Sequence, residues 1–452
     1  MRLLWLGDLA ATGFGSVTTD IGRALLDLGH DVRFLSQNDL DGIPPEPFGS
    51  RTLDLAFYEM QANASGGGVA GIKDVVGRII EGTSDAMMAS GDPWGEWAPE
   101  AVILLGDFWA VRMVVDRFED VLRRVPVLHY VPIEGVDLPP RWGEMWSWVK
   151  PIAMSRFGQE QIALVTGVEP PMAYHGVDAE AFHPVSPTSP IVVPVDRDGE
   201  KTVRLASRDA CRRFFGGRQA DPSVFWVLRT DRQMPRKRFG AMLRAMTPVL
   251  AAHPDCRLIL HCSVWDQGGH LLDSISKMPV PVQRQGVLTQ LGPVPREVLV
   301  ALYNASDAYI STGAEGFGLC VAEALACGIP AVGMDYSAVP EVIGPGGFVV
   351  PVAFTYDNEY DHLWASPDEE AMAEAVSWLV EHPAKARALG DEGMRHVRAT
   401  FRWSDAAVVI AEAARGALRA PRAAVEVQGV VDDAPLAPLD AALAAPVSAG
   451  AI

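Results

Sequence analysis

Apolar segments of two different periods alternate along the first part of the chain. Residues 2–8, RLLWLGD, are almost continuously apolar, and VTTDIGRALLDLGH at 17–30 repeats its apolar positions every three to four residues. The apolar segment DVRFLSQ at 31–37 follows directly. A strand, a small-residue loop, a helix and a second strand in this order form the unit of a parallel sheet with helices on its faces. The pattern predicts an α/β fold.

The same alternation occurs in two series. The first continues through AVILLGD at 101–107 and VPVLHYVPIEG at 125–135, and the second begins with SVFWVLRT at 223–230 and runs to IPAVGMD at 329–335. Between them, about 184–203 is rich in Pro and Ser and has no sustained period, which is typical of a linker. We expect two doubly wound, Rossmann-like domains that face each other across a deep cleft, with ligands bound at the carboxyl ends of the strands.

This pattern predicts a division of the chain into five parts. They are an N-terminal Rossmann-like domain (1–183), a linker (184–203), a C-terminal Rossmann-like domain (204–400), a final helix (401–419), and a disordered tail (420–452). The tail prediction rests on its Ala, Pro, Val and Asp composition without clear periodicity.

Composition and charge exclude several classes of partner. The 452-residue chain has a formal net charge of -19, which argues against a nucleic-acid binder and against a general basic surface for anionic lipid. No apolar run is long enough to be an integral membrane segment, and the N-terminus is expected to be a strand and not a signal peptide. The five cysteines are scattered without C-x2-C spacing, so we expect neither a disulfide framework nor a zinc site, and a cytoplasmic location.

The segment GAEGFGLCVAEALACGIP at 313–330 combines glycines with two glutamates. Its helical part places Glu323 on an apolar stripe, where a carboxylate needs a partner. The glycines allow backbone N–H groups at the helix start to approach an anion, with Glu315 at the lip of that site. The alternative is that Glu315 only complements the helix dipole and Glu323 is a core acid paired with an Arg.

The segment VLRTDRQMPRKRF at 227–239 is a local cationic centre in an acidic chain. It follows a predicted strand and contains Arg232, Arg236, Lys237 and Arg238, and such charges at a strand end can neutralise a phosphate. The alternative is a solvated basic loop. Asp107 and Glu134 also follow predicted strands, where they either reach the cleft or cap the surface.

These two segments together resemble a known family. The E-x7-E arrangement EGFGLCVAE, followed by ALACGIPAVG and preceded by the Arg-x4-Lys pair of RQMPRK, resembles the GT-B retaining glycosyltransferases of family 4, the glycosyl transferases group 1. GFGSVTTDIGRALLDLGHDV and HGVDAEAFHP are similar to the family's N-terminal glycine loop with its helix and to its segment before the linker. The resemblance covers about residues 1–416. It implies that the domain at 1–183 binds the acceptor, that the domain at 204–400 binds a nucleotide sugar, and that the helix at 401–419 is a closing helix that can cross back to the first domain.

The resemblance implies roles for individual residues. Arg232 and Lys237 would bind the leaving diphosphate, Glu315 would contact the donor sugar, and Glu323 would accept hydrogen bonds from the ribose. His129 is the nearest match to a histidine that reaches the donor sugar, with a structural hydrogen bond as the alternative. The remaining donor contacts fall on Gly13, Gly15, Val294, Gly316, Phe317, Gly318 and Leu319, with Pro293 beside Val294 at the base.

The function implied is a retaining hexosyltransferase that uses a nucleotide-diphosphate sugar as donor substrate. No cofactor is expected, and no metal, because the DRD at 196–198 lies in the predicted linker. The acceptor could be a glycan, a lipid, a small molecule or a protein. The alternatives are a sugar phosphorylase or epimerase of the same fold, a nicotinamide oxidoreductase, and a non-catalytic sugar-binding protein. The oxidoreductase lacks support because GFGSVT supplies G-x-G without the third glycine.

Overall fold

A computed structural model describes residues 1–9, 13–36, 44–55, 68–196, 201–216, 220–292 and 294–419. The predicted tail at 420–452 and the contact at Pro293 lie outside these ranges. Met1–Leu418 form one compact unit. The predicted domain boundaries at 183 and 203 therefore stay a prediction.

The first half of the chain builds a six-stranded sheet. Its elements are β1 (Arg2–Gly7), α1 (Gly13–Asp27), β2 (Asp31–Ser36), β3 (Thr52–Asp54), α2 (Gly68–Glu81), β4 (Ser84–Met87), β5 (Pro93–Gly95), β6 (Ala101–Leu105), α3 (Phe108–Leu122), β7 (Val127–Val131), α4 (Trp142–Trp146), β8 (Lys150–Ala153) and α5 (Arg156–Thr166). The strand order is β3-β2-β1-β6-β7-β8, and every pair in it is parallel. Strands such as β6 and β7 are buried throughout because helices cover both faces of the sheet, which explains their continuous apolar runs.

The second half builds a sheet of the same design. Its elements are β9 (Ile191–Pro194), β10 (Thr202–Leu205), α6 (Arg208–Gly216), β11 (Phe225–Thr230), α7 (Phe239–Ala252), β12 (Cys256–Cys262), β13 (Trp265–Asp266), β14 (Gly269–His270), α8 (Leu271–Ser276), α9 (Val280–Gly286), β15 (Val287–Leu291), α10 (Arg296–Ala305), β16 (Ala308–Ser311), α11 (Leu319–Ala326), β17 (Ala331–Met334), α12 (Val339–Ile343), β18 (Gly347–Val350), β19 (Val352–Asp357), β20 (Leu363–Pro367), α13 (Glu369–Glu381), α14 (Pro383–Thr400) and α15 (Trp403–Arg419). The order β15-β12-β11-β16-β17-β18 is parallel throughout. In each sheet the direction of winding reverses beside the first strand, which is where such sheets bind ligands.

Three local details differ from the sequence expectations. Helix α1 begins at Gly13, so the segment expected to be a loop up to Ser16 is its first turn. Packing of Phe14 against the core outweighs the low helix propensity of the two glycines. The predicted linker contains β9 and the start of β10, which pair as an antiparallel hairpin. Helix α11 begins only at Leu319, because Gly318 before it has a left-handed backbone, with φ of 105°.

The two halves share packed surfaces. One hydrophobic cluster includes Trp5 of β1 and Tyr309 of β16. Helix α15 occupies the segment predicted to be a closing helix, and its first residue, Trp403, lies against His175 of the first half. A Cβ added at Gly176 would stand 2.3 Å from the backbone nitrogen of Trp403, so only glycine fits there. Among the described residues no helix is long and apolar enough to cross a membrane. All five cysteines are free thiols.

The hairpin of β19 and β20 reaches from the second sheet to the first half. Its Leu363 exchanges two backbone hydrogen bonds with Val136, of 3.2 and 2.9 Å. Arg141 pairs with Asp361 at 2.6 Å, and the rings of Trp109 and Tyr360 are stacked 5.8 Å apart. The hairpin therefore spans the space between the two sheets.

A single carboxylate makes a second connection between the two halves of the chain. Glu341 of α12 accepts hydrogen bonds from the backbone N–H groups of Arg156 and Phe157, at 2.9 and 2.7 Å, and from the hydroxyl of Tyr174, at 2.6 Å. Arg156 and Phe157 are the first residues of α5, whose N–H groups have no partner inside their own helix. A negative charge is favourable at this positive helix end.

We expect Glu341→Gln to lower the free energy of unfolding by about 1–3 kcal/mol, because an amide has one acceptor oxygen and no charge for these three donors. Urea denaturation followed by circular dichroism measures this. Glu374→Gln, a change of an exposed carboxylate within α13, is the matched control and should leave the midpoint unchanged. Equal loss in both variants would contradict the role of Glu341.

Candidate active site

Charged side chains from both sheets meet between the carboxyl ends of their strands. The loop after β11 carries Arg232, Arg236 and Lys237, and the glycine-rich turn after β16 carries Glu315. Glu134 follows β7 of the first sheet. Parallel strands bring their carboxyl ends to one edge, so these residues, distant in sequence, become neighbours.

A buried ion pair forms the centre of this group. The Lys237 Nζ lies 2.5 Å from the Glu315 Oε1 and 3.1 Å from an oxygen of Asp231, and all three side chains are at most 9% exposed. Burial raises the pKa of Glu315, but the charges of Lys237 and Arg236 outweigh it and lower the pKa to about 2. Glu315 is therefore ionised, and it lies inside the site and not at its lip.

Local backbone geometry fixes this pair. Residues 235–237 form one 3-10 turn that begins with proline, and the Thr312 hydroxyl donates to the Lys237 carbonyl at 2.8 Å. A Cβ on Gly313 would stand 2.9 Å from the Lys237 Cδ, so the lysine stem occupies the space that a side chain would need. The Glu315 backbone N–H donates to the Ser337 hydroxyl at 2.8 Å. These contacts hold the two charged groups against each other.

Arg236 connects the two sheets. Its Nη1 lies 3.3 Å from Glu315 and donates to the Ala314 carbonyl at 2.6 Å, while its Nε lies 3.4 Å from Glu134. Burial raises the pKa of Glu134 to about 7, against the opposing charge of Arg236 and with help from the charges of Asp107 and Glu315. Burial also raises the pKa of Asp107, which the nearby arginines oppose. Burial thus favours the protonated form of both Glu134 and Asp107.

Arg232 lies outside this buried centre. Its guanidinium donates two hydrogen bonds to Asp266, of 3.0 and 2.9 Å, and its side chain is 66% exposed. The two cations predicted to act together therefore differ in environment, one buried and one exposed. Arg232 retains the freedom to change partner, because an exposed ion pair is weakly held.

Glu323 lies on α11 with a different partner. The Tyr303 hydroxyl donates to one of its carboxylate oxygens at 2.9 Å. Burial raises the pKa of Glu323 to about 7, with the Tyr303 hydrogen bond and Arg296 opposing. The alternative of a core acid paired with an arginine is not what the structure shows, because its hydrogen-bond partner is a tyrosine. Glu323 is half-buried, so it also keeps a surface for another group.

The glycine-rich turn packs directly against the first half. A Cβ on Gly316 would stand 2.4 Å from the Pro132 Cβ, so the two halves approach there through glycine and proline. Phe317 is buried against His175 and Phe401, which leaves only its backbone for a ligand. Gly318 and the half-buried Leu319 form the start of α11.

His129 does not have the position that the resemblance implied. It is fully buried, its Nε2 lies 2.9 Å from the Gly106 carbonyl, and its Nδ1 accepts a hydrogen bond from Trp146 at 3.3 Å. The ring is therefore neutral, and burial lowers its pKa to about 4. A direct contact with a donor sugar is wrong for this arrangement, because both ring nitrogens are used inside the fold. The arrangement of His129 agrees with the alternative role, which is a structural hydrogen bond inside the fold.

The remaining predicted contacts are spread over two elements. Gly13 is exposed at the first position of α1, and Gly15 is buried two residues further. Val294 is half-buried against the core cluster that includes α11. The described residues contain no group of three or more His, Cys, Asp or Glu placed to hold a metal ion.

Sequence reasoning gave too little weight to three acids. Asp231 stands directly after β11 inside the cationic segment, and it pairs with both Lys237 and Arg229. For Asp107 and Glu134 the sequence left two roles open, reaching the cleft or capping the surface; Asp107 makes no capping hydrogen bond to α3, and Glu134 pairs with Arg236. The sequence indicates these three acids by their position, since each of them closely follows a buried strand.

The comparisons with known proteins agree with this geometry. Sucrose-phosphate synthase from Thermosynechococcus elongatus superposes with a TM-score of 0.62 at 19% identity, over 92% of this chain and 98% of that one. Anabaena Alr3699/HepE, solved in complex with UDP-glucose, gives a TM-score of 0.61 at 14% identity, over 92% and 100%. Two doubly wound domains facing each other in this way are the GT-B fold, as predicted from the sequence.

Residues 221–382 match the family described as glycosyl transferases group 1. The chain is 23% identical over 237 residues to the GDP-mannose-dependent monoacylated alpha-(1-6)-phosphatidylinositol monomannoside mannosyltransferase of Corynebacterium glutamicum. That alignment covers 50% of this chain and 51% of the relative, so the chain spans about half the length of this curated relative.

We expect Glu323→Gln to change the pH dependence of stability. A carboxyl whose folded pKa is raised from 4.5 to about 7 stabilises the fold below pH 4.5, and this stability is lost as the pH rises through 7. The glutamine variant should match wild type near about pH 4.5 and exceed it by on the order of 1–3 kcal/mol near about pH 8. Urea denaturation across this range measures it, with exposed Glu392→Gln as control. A constant difference at all pH values would contradict the raised pKa.

Proposed function

We propose that this protein transfers a hexose from a nucleotide-diphosphate sugar to an acceptor hydroxyl, with retention at the anomeric carbon. The observation that carries the proposal is the buried pair of Lys237 and Glu315 at the edge of the second sheet, bridged by Arg236 to Glu134 of the first. It supports the proposal because these cations could stabilise a leaving diphosphate and the carboxylate could bind sugar hydroxyls within one space between two sheets.

The leaving group would be stabilised by cations on the loop after β11. Two of the three Lys237 ammonium protons have carboxylate partners, which leaves one for a phosphate oxygen. Arg232, which is exposed and paired with Asp266, would turn to the same diphosphate. The backbone N–H groups of the turn at 316–319 would complete the anion contacts at the start of α11.

The two glutamates of the E-x7-E segment would bind opposite ends of the donor. Glu315, ionised because its pKa is lowered to about 2, accepts hydrogen bonds from sugar hydroxyls. Glu323 accepts hydrogen bonds from the ribose with the oxygen that Tyr303 does not use. Gly13 and Gly15 leave room for the diphosphate, and Val294 lies toward the base.

Glu134 and Asp107 lie on the opposite side of the same space and belong to the acceptor side in this proposal. Their pKa values are raised mainly by burial, which disfavours the charged form of each carboxyl. An uncharged acceptor hydroxyl that donates a hydrogen bond suits such a carboxyl better than another anion.

The relatives support the nucleotide-sugar donor without deciding which one this protein uses. One is named as GDP-mannose-dependent, and another was solved with UDP-glucose. These names differ in base and sugar, so a panel of donors is required. Transfer from a sugar phosphate in place of a nucleotide sugar would indicate the phosphorylase alternative.

We expect Lys237→Ala to lower turnover by about 10²–10³-fold, because a preorganised charge on the leaving group is lost. The assay is release of nucleoside diphosphate from the best donor of the panel. The exposed Lys277→Ala is the matched control and should keep wild-type turnover. Circular dichroism should show that both variants fold, with Lys237→Ala less stable because Glu315 and Asp231 lose a buried partner. A folded Lys237→Ala variant with wild-type turnover would refute the assignment.

We also expect the product to keep the anomeric configuration of the donor, and turnover to persist in EDTA. The first expectation follows from the family resemblance, and the second from cationic side chains where a metal would otherwise neutralise the diphosphate. Proton NMR of the early product reports the anomer before any equilibration. Inversion would refute the retaining mechanism, and full loss of turnover in EDTA, restored by a divalent cation, would refute metal independence.

A further inference from the structure

The hairpin of β19 and β20 crosses the first sheet beside the two acids of the acceptor side. Asp107 closely follows β6 and Glu134 closely follows β7, and these two strands are parallel neighbours. The hairpin contacts the chain two residues beyond each acid, because Tyr360 stacks on Trp109 and the start of β20 is hydrogen-bonded to Val136. The second half of the chain therefore supplies a wall to the acceptor side of the first.

Trp109 and Tyr360 form an aromatic surface in this wall. Their rings are parallel to within 4°, with centroids 5.8 Å apart. Trp109 lies in the first turn of α3 and is 43% exposed, while Tyr360 is half-buried. The stacking therefore leaves much of the tryptophan open to solvent. A flat exposed ring of this kind suits a ligand that has one apolar face and polar edges, as a sugar ring has.

Carboxyl groups surround this aromatic surface. Burial raises the pKa of Tyr360, and the charges of Glu359, Asp107 and Glu134 raise it further, so these acids lie near its hydroxyl. Asp107 is half-buried and the side chain of Glu134 is 14% exposed, which leaves both accessible to a ligand. Arg236, a cation of this region, is already paired with carboxylates. Ligand hydroxyls can donate hydrogen bonds to such acids, whereas a ligand phosphate would be repelled.

We propose that Trp109 and Tyr360 bind a neutral pyranose ring of the acceptor, and that the hairpin of β19 and β20 thereby determines which acceptor is used. The C–H face of the pyranose lies on the tryptophan ring, and its hydroxyls point to Asp107 and Glu134. This inference rests on the proposed transfer reaction and specifies its acceptor. A neutral sugar is preferred to its phosphate ester.

Saturation-transfer NMR of the full-length protein tests the binding site without donor or turnover. The neutral probes are the methyl α-pyranosides of glucose, mannose and galactose, and the charged probe is glucose 6-phosphate. At least one neutral probe should receive saturation at its C–H protons, and titration should show that it binds more tightly than glucose 6-phosphate. No signal from any neutral probe, or tighter binding of glucose 6-phosphate, would overturn the proposal.

Ring variants locate the bound probe. Trp109→Ala and Tyr360→Leu should each weaken the binding of the responsive glycoside by at least about 10-fold, because an aromatic contact is lost. Tyr360→Phe keeps the ring and should retain binding. Trp265→Ala removes another exposed tryptophan, 71% exposed, and is the matched control. With folding verified by circular dichroism, unchanged affinity in Trp109→Ala or in Tyr360→Leu, or an equal loss in Trp265→Ala, would contradict this site.

A glycine variant displaces the hairpin without changing either ring. A Cβ added at Gly135 would overlap the His362 ring and the Leu363 carbonyl oxygen. Gly135→Ala should therefore push the hairpin away and weaken glycoside binding as much as Tyr360→Leu does. Gly416→Ala is the control, because an added Cβ there meets nothing described within 4 Å. Wild-type affinity in Gly135→Ala would remove the hairpin from the proposal.

Kinetics connect this site with the proposed transfer. With the best donor of the panel, Tyr360→Leu should raise the KM for the responsive glycoside by the factor by which it raises the Kd, and should leave the KM for the donor unchanged. A larger rise in the KM for the donor would assign the ring to the donor and overturn the proposal. If wild type released nucleoside diphosphate from no donor, the proposed function would fail, while the NMR result would still decide whether the aromatic surface binds a neutral sugar.

Discussion

The fold depends on the compensation of buried charge where its two sheets meet. Lys237 lies between Asp231 and Glu315, and Arg236 lies between Glu315 and Glu134. Removing either member of a buried pair leaves an uncompensated charge, which costs far more than an exposed pair gains. The turn of 235–237 and the absence of a side chain at Gly313 make this arrangement possible. The charged residues that are proposed to act in the reaction are thus also residues on which the fold depends.

The common strand order of the two sheets explains why this network forms between them. In both sheets the first strand lies centrally and the chain winds outward on each side, so the loops after β11 and β16 emerge side by side. The end of β7 supplies Glu134 from the other sheet. Glu341 and the hairpin of β19 and β20 then join the halves away from this centre. These separated contacts hold the two halves, and with them the charged groups, in fixed relative positions.

Sequence reasoning recovered the architecture because apolar runs and helical periods are local. It predicted that Lys237 and Glu315 lie at one sheet edge, where the structure pairs them, because a basic loop and a glycine-rich turn both follow strand ends. It could not find that Arg236 reaches Glu134, since that contact joins residues about a hundred positions apart and needs the relative placement of two sheets. It assigned His129 to a ligand because a strand-end histidine looks the same in sequence whether its partners are Gly106 and Trp146 or a substrate. The hydrogen-bond partners of a buried polar group depend on the tertiary structure and are not visible in the local sequence.

The bridge from Arg236 to Glu134 has a consequence for proton balance. Burial between the halves is what raises the pKa of Glu134 to about 7 from its ordinary 4.5. If the halves separate, water reaches this carboxyl and its pKa falls back, so it releases a proton at a pH between these two values. Closing the halves takes a proton up. The heat of closure would then differ between buffers of different ionisation enthalpy. That difference would give the number of protons taken up when the molecule closes.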